Sequence, residues 1–338
     1  MESSFSSSAW ALLEIALLAA LAFLSKLFSF KRDQLKFPPG PKPWPIIGNI
    51  NLVGSHPPQS LHNLAKKYWP IMQLKFGSVP VVVASSAEMA KEFLKTHDHV
   101  FASRPKSAAG KYLSYNHHNI TWAPYGPYWR QGRKIYASEL FNSKRLDSYQ
   151  YIRVEEMRAF LSRLCTLSGK PIMLKGHLFH LSLNIISRIV FGKKYASESK
   201  YETPIITVKE FQEMLDELFF LNWVLNKGDW LPWLDFLDLQ GYVKRMKALI
   251  KKFDQFLDHV FDEQKAKKEG VKDFVPKDIV NVLLQLADDP NFDIKLTYDN
   301  IKAFIQVIPL PFYFFFIFWE KIFFNSSVYI FLLFYFYL

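Results

Sequence analysis

Two side chains that can together hold a carboxylate lie one helical turn apart near the middle of the sequence. Trp129 and Arg133 are four positions apart, so on a helix they share one face. A guanidinium can hold a carboxylate through two parallel hydrogen bonds, and an indole N–H adds a further donor. The pair suits a cofactor that carries propionate groups, such as haem. From spacing alone, a cation–π pair on a surface helix is the more common explanation, and both interpretations stay open here.

Other residue types that often carry chemistry give weaker signals. The pairs His97/His99 and His117/His118 lack the cysteine or carboxylate arrangement of a zinc site, so we expect loop histidines and no metal ligand set. The single cysteine, Cys165, excludes a disulfide within the chain. It lies in an amphipathic helical pattern, where we expect it to act as a small buried apolar residue.

The charge of the chain does not point to nucleic acid. The formal net charge is +11, and the basic residues are spread along the sequence without a long Lys/Arg run. A basic balance also suits an anionic membrane surface or an acidic protein partner. Because no nucleic-acid-binding signature is present, we expect no nucleic acid partner.

The beginning of the sequence predicts a membrane anchor. Residues 9–24 are almost wholly apolar and are interrupted only by Glu14; about 20 such residues span a bilayer. Basic residues follow from Lys26 onward, whereas Glu2 is the only charge before the stretch, so the positive-inside rule places the body in the cytosol. A cleaved signal peptide would need a basic leading segment. We therefore predict one uncleaved transmembrane signal anchor over residues 1–30.

A proline-rich hinge is predicted next, over residues 31–50. It contains the run PPGPKPWP from Pro38. Proline fixes φ and cannot continue a helix, so this run forms a stiff spacer. Its expected role is to hold the following body at a set angle to the membrane.

The body, residues 51–306, predicts a mainly α fold with a small β element. Two short β-rich runs, 71–76 and 79–84, are separated by Gly77-Ser78, which indicates a hairpin. Helical spacing predicts helices over residues 60–68, 86–96, 128–140, 143–167, 174–190, 207–222, 239–268 and 276–288. The long polar and aromatic segment 100–122 predicts a packed, ligand-facing loop.

The order of several segments gives the chain a resemblance to a known family. In chain order they are the anchor, PPGP at 38–41, the strand pair, FASRP at 101–105, APYG at 123–126, WRQGRK at 129–134, FGKKY at 191–195 and DFLDLQG at 235–241. This order resembles plant microsomal cytochromes P-450 of the A-type group, over residues 1–306. Within that group it is most similar to flavonoid 3'-hydroxylase-like and trimethyltridecatetraene synthase-like enzymes.

The resemblance implies the N-terminal part of the cytochrome P-450 fold, preceded by one transmembrane helix, with haem as the cofactor. It favours the cofactor interpretation of the first motif, in which Trp129 and Arg133 bind the haem propionates. It also implies substrate contacts from the loop 106–121 and from a second wall, residues 211–223.

Three residues of that loop are the candidate substrate contacts, Tyr115, His117 and Ile120. The resemblance further implies a parent enzyme that activates O2 at haem and inserts one oxygen atom into a small apolar plant metabolite, such as a flavonoid or a terpenoid. Its electrons would come from a membrane-bound NADPH–cytochrome P-450 reductase. The expected location is the endoplasmic reticulum membrane, single-pass, with the catalytic body in the cytosol.

Four basic side chains are candidates for docking the acidic reductase, because complementary charge speeds encounter. They are Arg130, Lys134, Lys144 and Arg145.

The resemblance ends at Gln306. Family members continue their central helix with an acidic residue and an Ala-Gly-Gly-x-Asp-Thr stretch, whereas this chain reads VIPLP, with two prolines that break a helix. Residues 307–338 are rich in Phe and Tyr, whose codons are AT-rich. We expect an aberrant hydrophobic tail, translated through an exon boundary into an intron. The alternative is a genuine tail that reaches the membrane.

The ending has a chemical consequence for the expected activity. Family members hold iron through a cysteine thiolate in a Phe-x-x-Gly-x-Arg-x-Cys loop, and neither this loop nor the family's Glu-x-x-Arg pair occurs here. Cys165 lacks the surrounding loop, so we expect no metal ligand and assign no catalytic residue. The chain by itself is expected to be inactive. The alternative function is a non-enzymatic, truncated, membrane-bound protein.

Overall fold

The computed structural model describes residues 37–54, 57–194, 206–269, 276–290 and 295–309. The predicted anchor lies outside the described residues, as do the first part of the predicted hinge and the predicted tail beyond residue 309. Among the described helices, none combines the length and the apolar character that crossing a bilayer needs.

The described chain is mainly α with one β-hairpin, as the sequence predicts. The α-helices are α1 (Pro57–Tyr68), α2 (Ala87–Lys91), α3 (Asp98–Phe101), α4 (Pro127–Lys134), α5 (Ser143–Ser148), α6 (Gln150–Thr166), α7 (Leu174–Phe191), α8 (Val208–Trp223), α9 (Lys227–Trp230), α10 (Tyr242–Glu269), α11 (Ile279–Asp288) and α12 (Tyr298–Val307). Short π-helical segments cover Glu92–Thr96, Ala109–Leu113 and Ile135–Leu140, and 3-10 turns cover Ile50–Leu52 and Pro232–Leu237.

The hairpin has the predicted bounds, β1 (Ile71–Phe76) and β2 (Val79–Ala84), and its strands pair antiparallel. Side chains alternate across a sheet, so Met72 and Leu74 point together into a small core against Ala65 of α1.

The last part of the predicted hinge packs along β1. The backbone N–H of Gln73 donates to the Pro39 carbonyl at 3.0 Å. Asn49 is buried, and its side-chain oxygen accepts from the Lys75 N–H at 2.8 Å. The described part of the proline-rich segment is therefore fixed to β1 by a backbone hydrogen bond at Pro39 and a side-chain hydrogen bond at Asn49.

Helix starts follow their capping residues closely. Ser86 accepts from the Met89 N–H at 3.1 Å, and Thr207 forms a capping box with Glu210. The predicted helix start at residue 276 is wrong, because the Asp278 side chain caps α11 and the helix begins at Ile279.

The predicted single helix over residues 143–167 is also wrong. It is two helices, α5 and α6, separated at Tyr149, whose φ of −91° and ψ of 4° leave the helical region. No proline or glycine marks this break, so the local sequence gives no signal for it.

The main core lies between α7, α8, α10, α11 and α12. Its fully buried side chains include Leu218 of α8, Met246 and Leu257 of α10, Leu283 of α11 and Phe304 of α12. This core positions α12 beside α4, the helix that carries the predicted carboxylate-binding pair.

Candidate functional site

Trp129 and Arg133 share one face of α4, as their spacing predicts. The Arg133 guanidinium lies over the Trp129 ring, 5.6 Å from its centroid. The indole N–H donates to the Ile120 carbonyl at 3.1 Å. Arg133 is exposed, and the described residues give its guanidinium no hydrogen bond or ion pair. The guanidinium is therefore available to an external carboxylate, whereas the indole donor is already used by the preceding loop.

Aromatic residues hold α4 and the π-helical segment that follows it against α12. The rings of Tyr128 and Tyr136 pack on the Phe304 ring, with centroids 6.3 and 5.6 Å apart. The Tyr136 hydroxyl donates to the Phe304 carbonyl at 2.7 Å, and the Tyr128 hydroxyl donates to the His118 carbonyl at 2.6 Å. Burial raises the pKa of both phenols, so both remain neutral donors.

Tyr115 lies in a polar cluster between the loop, α10 and α12. Its hydroxyl donates to Asp254 Oδ1 at 3.0 Å. Burial, followed by the charge of Asp254, raises the pKa of this phenol. The Lys302 ammonium lies 3.0 Å from the same oxygen and 2.7 Å from Asp258 Oδ1. Tyr115 thus ties the loop directly to α10, and Lys302 links the same carboxylate to α12.

His117 and Ile120 also make contacts within the body. His117 has a left-handed φ of 65°, and its Nδ1 is buried with no hydrogen-bond partner in the described residues. Burial, followed by the neighbouring His118, lowers the pKa of this imidazole. The Ile120 carbonyl is the acceptor for the Trp129 indole. Neither residue, nor Tyr115, lines the cavity described next, and their role as substrate contacts stays a prediction.

A cavity of about 850 Å³ lies between α1, the hairpin, the beginning of the loop and the end of α8. Its walls are mostly apolar. They include Leu61, Val83, Trp122, Trp223 and Trp230. Both segments implied by the resemblance contribute, residues 106–121 through their two ends and residues 211–223 through their last turn.

Polar side chains are a minority of the lining, and several of them are paired with protein. The Trp122 indole donates to the Asn222 side-chain oxygen at 2.8 Å. Asp229 Oδ1 accepts from the Ala108 N–H at 2.8 Å and from the Asn226 side chain at 3.3 Å. Burial raises the pKa of the Asp229 carboxyl. Asp229 is not predicted from the sequence, where its only signal is its position just before the helix break at 230–233.

Cys165 is an exposed free thiol on α6, so the prediction that it is buried was wrong. Helix α6 lies at the surface, and its buried side chains are Ile152 and Glu156. In the part of the chain that the structure describes, no three His, Cys, Asp or Glu side chains are grouped to hold a metal ion.

Comparison with known proteins identifies the family. The sequence profile of the cytochrome P-450 family matches residues 38–308. The chain therefore belongs to the cytochrome P-450 family, which confirms the resemblance seen in the sequence. It is 39% identical over 287 residues to a flavonoid 3'-monooxygenase of Petunia hybrida, covering 84% of this chain and 55% of that protein. It is 38% identical over 315 residues to a trimethyltridecatetraene synthase of Zea mays, covering 87% and 56%.

Solved structures show the same fold. A zebrafish cytochrome P-450, in a structure with abiraterone, superposes with a TM-score of 0.57 at 21% identity, covering 75% of this chain and 54% of that one. The chain spans about half the length of the curated relatives it matches.

Proposed function

We propose that this chain carries the propionate-binding helix and the substrate cavity of a plant haem-thiolate monooxygenase. The complete enzyme inserts one oxygen atom of O2 into a small apolar plant metabolite. Its electrons come from NADPH through a reductase. Family membership supports the reaction class, and the similarity to a flavonoid 3'-monooxygenase and a trimethyltridecatetraene synthase supports flavonoids or terpenoids as the substrate class.

The observation that carries the proposal is the state of the Arg133 guanidinium. It is exposed, it stacks on Trp129, and no described residue pairs with it. A stacked guanidinium keeps its planar set of N–H donors available for a carboxylate. The Trp129 indole can join it only by giving up the Ile120 carbonyl. Haem propionates are carboxylates that fit this arrangement.

The fit to haem covers the propionates and not the iron. Cys165 is the chain's one cysteine, and it lies on a surface helix, away from α4 in sequence and without the family's thiolate loop. Bound haem with a thiolate ligand supplies the oxygen chemistry of the family. In this chain, Arg133 would hold an acid group, Trp129 would join it on releasing the Ile120 carbonyl, and α12 supports the helix that carries both residues.

The apolar cavity supports a small apolar substrate. Its volume of about 850 Å³ falls in the range of about 300–1,000 Å³ that small-molecule sites occupy. Placement of the chain in the endoplasmic reticulum membrane, through residues 1–30, belongs to the same proposal. The exposed side chains of Arg130, Lys134 and Lys144 are the proposed contacts for the acidic reductase.

A haemin titration tests the proposed role of Arg133. The chain, its Arg133→Gln variant and its Trp129→Phe variant are titrated with haemin, and binding is followed by Soret absorbance. Loss of a charge-assisted hydrogen-bonded pair costs about 1.5–3 kcal/mol, which is about a 10- to 150-fold weaker Kd. We expect that loss for Arg133→Gln and a smaller loss for Trp129→Phe.

The matched control is Arg130→Gln, which removes the same charge from the same helix. Arg130 lies over Tyr125, 5.6 Å from the ring centroid, and not over the indole. We expect this variant to bind haemin as the unmodified chain does. Equal weakening by Arg130→Gln and Arg133→Gln would show that only net charge matters, and the proposed role of Arg133 would be wrong.

The exposed position of Cys165 on a surface helix does not favour it as a haem ligand. We propose, as a second candidate, that the chain by itself is a non-enzymatic membrane-bound protein. A carbon-monoxide difference spectrum of the haemin-loaded chain is expected to show no thiolate-haem band. Detection of that band from this sequence would establish a thiolate ligand and refute the non-enzymatic assignment.

A further inference from the structure

One carboxylate faces the apolar cavity with an oxygen that the protein does not use. Asp229 is the single acidic residue among the described residues that line the cavity. Its Oδ1 accepts both the Ala108 N–H and the Asn226 amide, at 2.8 and 3.3 Å. Its Oδ2 makes no hydrogen bond within the described residues and keeps some accessible surface, and Asp229 is a lining residue of the cavity.

A structural role alone does not account for this arrangement. Tying the loop to α9 needs one acceptor oxygen, and an asparagine amide would supply it. A partly buried carboxylate pays a desolvation cost that a neutral amide avoids. A hydrogen bond from a donor in the cavity to the second oxygen would offset that desolvation free energy.

The other lining residues limit the chemical class of the ligand that carries this donor. Four tryptophans line it, Trp69, Trp122, Trp223 and Trp230, so the bulk of a ligand must be apolar. The Asn222 oxygen is already bonded to the Trp122 indole. Lys66 and Lys106 are exposed to solvent, so their charges are hydrated at the rim. Hydroxyl and amide side chains such as Ser85, Thr121 and Asn226 also line the cavity, but they are neutral, and Asp229 supplies the one carboxylate acceptor among the described lining residues.

We propose that the cavity binds an apolar molecule that carries a hydroxyl group, and that Asp229 Oδ2 accepts the hydrogen bond from this hydroxyl. The inference rests on the proposed function and narrows its substrate class to hydroxylated apolar molecules. Asp229 is a specificity-determining residue in this assignment. The binding step involves only the chain's own residues, so it can be measured without haem.

Three ligands with one carbon skeleton separate the effect of the hydroxyl from that of apolar burial. Menthol carries a donor, menthone carries only an acceptor, and p-menthane carries neither. Each is titrated into the haem-free chain, and binding is followed by tryptophan emission, because four tryptophans line the cavity. We expect menthol to bind about tenfold more tightly than menthone or p-menthane, as a single charge-assisted hydrogen bond allows.

The Asp229→Asn variant is expected to change this preference in a defined way. Because Ala108 and Asn226 both donate to Oδ1, the amide oxygen of the new side chain must take that position, and its NH2 group then faces the cavity. A carbonyl ligand gains a donor, so menthone is expected to bind at least as tightly as menthol. The control Asp262→Asn makes the same charge change at an exposed position of α10 and is expected to keep the menthol preference.

Two results would overturn the inference. One is equal affinity of the unmodified chain for menthol, menthone and p-menthane. The other is an Asp229→Asn variant that still prefers menthol by the original factor. Either outcome leaves the haemin result untouched, because no haem is present, so failure of this inference and failure of the proposed function are distinguishable.

Discussion

Replacing Lys302 by methionine tests how strongly the loop, α10 and α12 are held together. The Lys302 side chain is only 9% exposed, and its ammonium bridges Asp254 and Asp258, at 3.0 and 2.7 Å. Asp254 also accepts the Tyr115 hydroxyl. Methionine keeps the apolar stem of the side chain and removes its charge, so the variant reports on the ion pairs rather than on packing.

The expected loss of stability follows from the exposure of the partners. Removing one partner of a fully buried ion pair costs about 3–5 kcal/mol, whereas an exposed pair contributes about 0–1 kcal/mol. The Asp254 side chain is 37% exposed and that of Asp258 is 59% exposed, so water screens both. We expect Lys302→Met to lower the free energy of unfolding by about 2 kcal/mol. Asp254→Asn is expected to lower the free energy of unfolding less in the Lys302→Met variant than in the unmodified chain, because the ion pair is already absent there.

Urea unfolding, followed by both tryptophan emission and far-UV circular dichroism, measures this loss. Lys251→Met is the control, because Lys251 is an exposed residue of α10, and we expect a change within about 0.5 kcal/mol. Burial lowers the pKa of Lys302, but its hydrogen bonds to Asp258 and Asp254 outweigh burial and raise it. The stabilisation is therefore present below the unfolded pKa of about 10.4 and is lost as pH rises through the folded value. A Lys302→Met variant as stable as Lys251→Met at pH 7 would refute the reasoning.

Two further predictions concern the α6–α7 contact and the end of α7. Burial raises the pKa of Glu156, but its bonds to Lys194 and Arg188 outweigh burial and lower it, so its stabilisation exists above the unfolded pKa and is lost as pH falls through the folded one. Glu156→Gln is expected to cost about 2–3 kcal/mol at pH 7 and much less at pH 3 in urea unfolding; an equal cost at both values would contradict this. Gly192→Ala is expected to cost about 1–2 kcal/mol, because φ is +78° and the added Cβ would lie 2.8 Å from the Asp278 side chain. Gly176 lies in α7 with nothing within 4 Å of an added Cβ, so Gly176→Ala is expected to stabilise the folded chain by about 0.5 kcal/mol. A higher thermal unfolding midpoint for Gly192→Ala than for Gly176→Ala would refute both predictions.

The parts of the fold that the sequence predicts correctly are set by local interactions. Alternation of Met72 and Leu74, followed by Gly77-Ser78, defines the hairpin, and both strands end where predicted. The break at Tyr149 was missed, because it has no local signal and depends on how α5 and α6 meet the rest of the body.

In the candidate site, too, the features set by local sequence are predicted and those set by tertiary packing are not. The shared face of Trp129 and Arg133 follows from helical periodicity and is present as a stacked pair. The partner of Tyr115 is Asp254, 139 positions further along the chain, and the N–H that fixes Asp229 lies 121 positions before it. Contacts over such separations arise from tertiary packing, so a single sequence cannot reveal them.

Strand β2 is an edge strand within the described chain, so the backbone N–H and C=O groups on its outer side have no strand partner. Its partner β1 is covered on the other side by the proline-rich segment, but within the described chain β2 has no neighbour beyond β1. The strand is apolar, and Val82 is 45% exposed. Unpaired edges of this kind recruit strands from other molecules, and Pro80 interrupts the row of donors. We therefore expect the chain to associate along β2 at high concentration, and Val82→Lys to reduce that association.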